Sequence, residues 1–100
     1  MMGTELITTH DEIPDAPFYV VSRDRFLSGW GNSEGKDNIL IIPCDDGDEA
    51  CIVATNARNR TDQEAVRIFQ FKPTLLNNKN TYSLLTKETG ARWYRPGAFS

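Results

Sequence analysis

Four carboxylates fall within five residues at Asp45, Asp46, Asp48 and Glu49. Oxygen ligands at that density suit Ca2+ or Mg2+. They also suit a second role, an acidic patch that imitates nucleic-acid phosphates and meets a basic partner. The EF-hand spacing is absent, because no glutamate stands at the twelfth position of such a loop. A third role needs no ligand. Asp45 or Asp46 can cap a following helix, and Asp48 and Glu49 then sit in its first turn, where the helix dipole favours negative charge. Capping explains most of the cluster, so no metal is expected there; partner contact is the functional role left to it.

Other chemistries find fewer residues. Structural zinc wants four Cys or His ligands. The chain offers Cys44, Cys51 and a single histidine, His10. Nucleophilic catalysis wants an activated Ser, Cys or Lys beside a base, and one histidine forms no convincing pair. The run Gly29-Trp30-Gly31-Asn32-Ser33-Glu34-Gly35 resembles a phosphate cradle only superficially. A strand follows it instead of a helix, and Glu34 repels anions. It reads as a loop anchored by Trp30, with Trp30 and Glu34 as contact residues. Arg58, Arg60, Arg67, Phe69 and Trp93 interleave charge and aromatic faces as a single-strand nucleic-acid surface does. The expectation is a non-enzyme with no cofactor.

The elements that position these residues follow from periodicity. Residues 1–16 are polar, acidic and punctuated by Pro14, and read as a flexible arm that Leu6, Ile7 and Ile13 can dock. Phe18–Arg23 is a β-rich strand after a proline, with Phe18 and Val20 on one face and Tyr19 and Val21 on the other. Asn38–Ile42 is a continuous apolar strand suited to an inner position, and Pro43 is expected to end it. Ala50, Val53, Ala54 and Ala57 make the narrow small-residue face of a helix that closes near Arg58 and Arg60. Thr61–Glu64 reads as a turn, Ala65–Phe71 as an alternating strand and Tyr82–Lys87 as a short fourth strand.

The order is β-β-α-β-β: an α+β fold, with one helix on one face of a small, mostly antiparallel sheet of about four strands. The strands flanking the helix are expected to run parallel. One helix cannot cover two faces. The aromatic tail, Trp93, Tyr94 and Phe99, is the expected cover of the second face, and a second copy or another partner is the alternative.

One hundred residues make one domain, here residues 17–100 beyond the arm, with a modest core. The net charge of −3 gives no general attraction to nucleic acid or to an anionic membrane. The charge is polarised along the chain. Residues 1–50 carry eleven acidic and three basic side chains; residues 51–100 carry three acidic and eight basic. Direct nucleic-acid binding therefore ranks below a protein partner. Neither a secretory leader nor a membrane-spanning apolar run is read in the sequence. Two cysteines are no disulfide framework, which fits a reducing cytoplasm.

One resemblance adds to this. Ser28-Gly29-Trp30-Gly31, Glu34-Gly35, Asn38, Cys44-Asp45, Glu49-Ala50, Asn56-Ala57-Arg58, Asp62-Gln63 and Trp93-Tyr94 with Pro96-Gly97 resemble a family of small bacteriophage and mobile-element proteins. The likeness runs over residues 17–99. It implies action in a host bacterial cytoplasm and carries no catalytic motif. In general character, such a protein is similar to inhibitors of host defence, anti-CRISPR proteins among them. The expected function is binding and inhibition of a host protein complex that handles nucleic acid, such as a CRISPR surveillance complex. The contacts would be Trp30, Glu34, Asp45, Asp46, Asp48 and Glu49. The alternatives are a nucleic-acid-binding regulator using Arg58, Arg60, Arg67, Phe69 and Trp93, and a virion or structural module.

Overall fold

The structure, a computed structural model, describes residues 4–25 and 36–99. Trp30 and Glu34 lie outside the described residues. Among the described residues, five strands and one α-helix follow in the order β1 (Glu5–Ile7), β2 (Phe18–Asp24), β3 (Asp37–Cys44), α1 (Gly47–Asn59), β4 (Gln63–Phe69) and β5 (Asn80–Leu84). They form one α+β domain with the sheet order β1-β5-β3-β2-β4. Three neighbouring pairs are antiparallel, and β3 with β5 is parallel. β3 and β4 both run antiparallel to β2, so the strands flanking the helix are parallel to each other, with β2 between them.

The fifth strand comes from the segment expected to be an arm. Glu5–Ile7 pairs with Leu84–Tyr82 at one sheet edge. Ile7 and Ile13 are buried there, whereas Leu6 points outward. Tyr19 fastens the segment further: its hydroxyl donates to Pro14 O at 2.6 Å and accepts from Ala16 N–H at 2.9 Å. Two buried side chains and a strand pairing outweigh the polar composition that suggested an arm.

Pro43 does not end its strand. β3 continues to Cys44, with Pro43 opposite Tyr19. The described pairing with β5 has already stopped at Ile41–Leu84. Pro43 O accepts from the Tyr94 hydroxyl at 2.8 Å. In an extended strand a residue's nitrogen and carbonyl face the same edge, so the missing donor lies on the side where no strand needs it.

The helix face of the sheet holds Val20, Leu40, Ile42 and Cys44 against Ala50, Val53, Ala54 and Ala57, all at 0–1% exposure. Small side chains let α1 approach closely, as their spacing predicts. The aromatic tail packs on this same face: Trp93 joins the cluster, with Tyr94 and Phe99 against it. This corrects the expectation that the tail covers the second face. That face carries Ile7, Tyr19, Ile41, Tyr82 and Leu84, with Ile13, Ala16 and Leu75 packed against it.

Ala65 has φ 53°, the left-handed region that side chains disfavour. The pairs Val21–Arg67 and Arg23–Glu64 leave Ala65 and Val66 opposite Ser22 alone, a β-bulge. Gln63 and Glu64, expected in a turn, therefore belong to β4. The bulge resets the alternation, so Glu64 and Arg67 share a face. Left-handed backbone costs a non-glycine residue about 1–2 kcal/mol, partly offset by the entropy that glycine loses on folding. Ala65→Gly is expected to raise stability by about 0.5–1 kcal/mol in urea unfolding. A lowered midpoint at unchanged slope would show that the bulge carries no such strain.

Candidate functional site

The acidic turn is first a helix start. Asp46 is the N-cap, and its Oδ1 accepts the Glu49 N–H at 2.8 Å. Glu49 reaches back, its Oε1 accepting the Asp45 N–H at 2.8 Å. This reciprocal arrangement satisfies one first-turn helix donor and the N–H just ahead of the cap. Asp46→Ala is therefore expected to cost about 1 kcal/mol. Thermal unfolding checks it, and an unchanged midpoint would show that the cap contributes nothing.

A residue from the segment just after β5 completes the turn. Lys87 Nζ lies 2.5 Å from Asp45 Oδ2 and 2.7 Å from Glu49 Oε2. The ammonium is also 5.6 Å from the centre of the Tyr94 ring. Hydrogen bonds to Asp45 and then Glu49 hold its pKa above the ordinary lysine value, against the smaller effect of desolvation. Lys72 similarly meets Asp15 at 2.9 Å. The basic second half of the chain thus compensates part of the acidic first half within the fold. Asp48, exposed on the first turn of α1, has no ion-pair partner among the described residues.

Beside this turn a cleft of about 410 Å3 opens at the C-terminal ends of the parallel strands β3 and β5. Its carboxylates come from four separate segments: Glu5, Asp15, Asp45 and Glu88. Asp45 belongs both to the cleft and to the helix start, so the two acidic features are continuous. Tyr94 forms part of the wall, fixed by its hydrogen bond to Pro43 O. Burial pushes its hydroxyl pKa upward, so it stays protonated as a donor.

Cys44 is buried, and its thiol points to Ile42 O at 3.6 Å. Burial, with the Glu49 charge adding to it, pushes the thiol up to about 12. A protonated thiol is neither nucleophile nor metal ligand. Cys51 is exposed on the outer side of α1. No group of three or more His, Cys, Asp or Glu side chains among the described residues is arranged to hold a metal ion. No helix among them is long and apolar enough to cross a membrane.

The basic and aromatic residues do not assemble into one platform. Trp93 is buried in the helix-side core. The Arg60 guanidinium lies 4.7 Å from both the Trp93 and Phe99 ring centres. Its Nε and Nη2 also donate to the two Asp62 oxygens at 2.9 and 2.7 Å, and these bonds hold the Asp62 carboxyl below its ordinary pKa. Both side chains are occupied with structure. Arg58 is exposed on α1. Arg67 and Phe69 lie on the opposite face of the sheet, beside Val21 and Tyr19.

Comparison with family models, curated proteins and solved structures finds no match. The site therefore stands on its own geometry. Asp45, Asp46, Asp48 and Glu49 come together as the sequence predicts. Glu5, Asp15, Lys87, Glu88 and Tyr94 were not singled out as members of that end. Glu5 and Asp15 fall in the segment whose composition reads as an arm, and no local pattern marks Lys87 as the partner of residues some forty positions earlier.

Proposed function

We propose that this protein acts by binding, not by chemistry, and that its acidic end docks on a basic surface of a host complex and inhibits it. One observation carries this reading: the exposed start of α1 runs through Asp45 into a concave cleft that adds Glu5, Asp15 and Glu88. A contiguous acidic surface steers a basic partner and fixes its register. Binding sites for nucleic-acid phosphates are basic, so a surface of this sign competes for them. The resemblance to phage and mobile-element proteins supports action inside a bacterial cell, and makes a CRISPR surveillance complex the first partner to test.

The test is affinity capture from host lysate with mass spectrometry, followed by an inhibition assay on the complex recovered. The variant is Asp45→Lys with Asp48→Lys, which spares the Asp46 cap. Association is expected to slow by about tenfold and the salt dependence to flatten. A folded variant that captures and inhibits undiminished would remove the acidic surface from the account.

A further inference from the structure

The cleft at the ends of β3 and β5 has a divided lining. Pro14, Pro43, Leu84 and the ring of Tyr94 supply apolar surface. Four carboxylates and the Lys87 ammonium stand around them, and not all the carboxylates are engaged. Asp45 is held by Lys87 and Asp15 by Lys72. Glu5 and Glu88 are exposed and form no ion pair among the described residues. Lys87 shows how this wall takes a cation, between carboxylates and near an aromatic face.

Resting on the binding reading above, we infer that the cleft receives one arginine side chain presented on an extended segment of the partner protein. Three features select that occupant. The cleft, at about 410 Å3, has room for a long side chain and its flanking backbone. Its apolar lining suits an aliphatic stem, which arginine buries while its head stays among polar groups. Its carboxylates come from separate segments and, among the described residues, none belongs to a cluster able to hold a metal ion. A planar guanidinium with five donors can serve carboxylates on more than one wall, whereas a metal needs them gathered. A second lysine would add a point charge of the kind Lys87 already provides. Glu5 and Glu88 are the acceptors assigned to the guanidinium.

The whole chain, labelled with 15N, is titrated with capped Gly-Gly-Arg-Gly-Gly and with the same peptide carrying lysine or citrulline in place of arginine. The arginine peptide is expected to shift the amides of Glu5 and residues 84–89 saturably. The lysine peptide should bind about tenfold more weakly, the equivalent of one charged hydrogen bond. Citrulline, neutral and nearly the same shape, should not saturate. Glu5→Gln with Glu88→Gln should weaken the arginine peptide by a similar factor, and both positions are exposed, so the spectrum should otherwise persist. The inference is overturned if arginine and citrulline peptides behave alike, if the shifts map elsewhere, or if nothing saturates. Such a result with a host complex still captured through the acidic turn removes the arginine and leaves the binding reading. Peptide binding without any captured complex removes the host-complex reading and leaves the cleft's preference.

Discussion

Trp93→Ala is expected to lower the unfolding free energy by about 4 kcal/mol, the scale of removing a buried tryptophan from a packed core. Trp93 is 6% exposed and belongs to the helix-side cluster. Its ring meets Phe99 edge-on at 5.6 Å and carries the Arg60 guanidinium on its face. Its carbonyl, with that of Arg95, accepts from Asn56 Nδ2 at 2.8 and 2.7 Å, so the segment stays fastened to α1 after the ring is gone. The variant therefore leaves a cavity that its surroundings cannot readily fill. A small domain has about 5–15 kcal/mol in total, so the loss is a large share of stability. Urea unfolding measures it, with Trp93→Phe as a control that keeps much of the apolar surface. A loss below about 1 kcal/mol would mean that the tail is an ornament on the core and not part of it.

That result bears on what the sequence could reveal. The aromatic residues of the tail were legible as packing groups, but the face they cover was not. Alternation shows that β2 and β3 have two apolar faces; it does not say which distant segment reaches which face. The helix was the most legible element, because Ala50, Val53, Ala54 and Ala57 repeat at its own period and Asp45 or Asp46 marks its start. β1 was the least legible. Three residues give no usable period, and its stability comes from pairing with β5, about seventy-five positions later. Burial of polar groups was equally hidden. Asp24 is fully buried, Ser22 donates to Gln63 Oε1 at 2.5 Å, and Asn38 Oδ1 accepts from Thr81 and Ser83 at 2.9 and 3.3 Å. Such residues look like surface in a sequence because only the assembled sheet supplies their partners. The acidic site divides in the same way. Its contiguous part was visible at residues 45–49, whereas the cleft draws its carboxylates from four segments that only the fold brings together.

Ile13→Ala tests the least legible part of that fold, with an expected cost of about 3 kcal/mol. Ile13 is 1% exposed and lies in the second cluster with Ile7, Tyr19, Ile41, Tyr82 and Leu84. Leu6, one residue from Ile7 but pointing outward at 49% exposure, is the internal comparison. Leu6→Ala is expected to change stability by no more than about 0.5 kcal/mol. Equal small effects at the two positions would return residues 4–16 to the status of a loose arm. The consequence reaches the site. Pro14, Asp15 and Ala16 follow Ile13 directly and form one side of the acidic cleft. Among the described residues they are held by Ile13, the Tyr19 hydroxyl, the packing of Ala16 against the second cluster and the Asp15–Lys72 pair. Asp15 is 96% exposed in that pair, so solvent screens it and the apolar anchor carries more of the task. Ile13→Ala should therefore weaken any ligand of the cleft even where the protein remains folded, while the start of α1 keeps its cap and its charge. Loss at the cleft with an intact helix start would separate the two halves of the acidic surface, and would show that the N-terminal segment positions one of them.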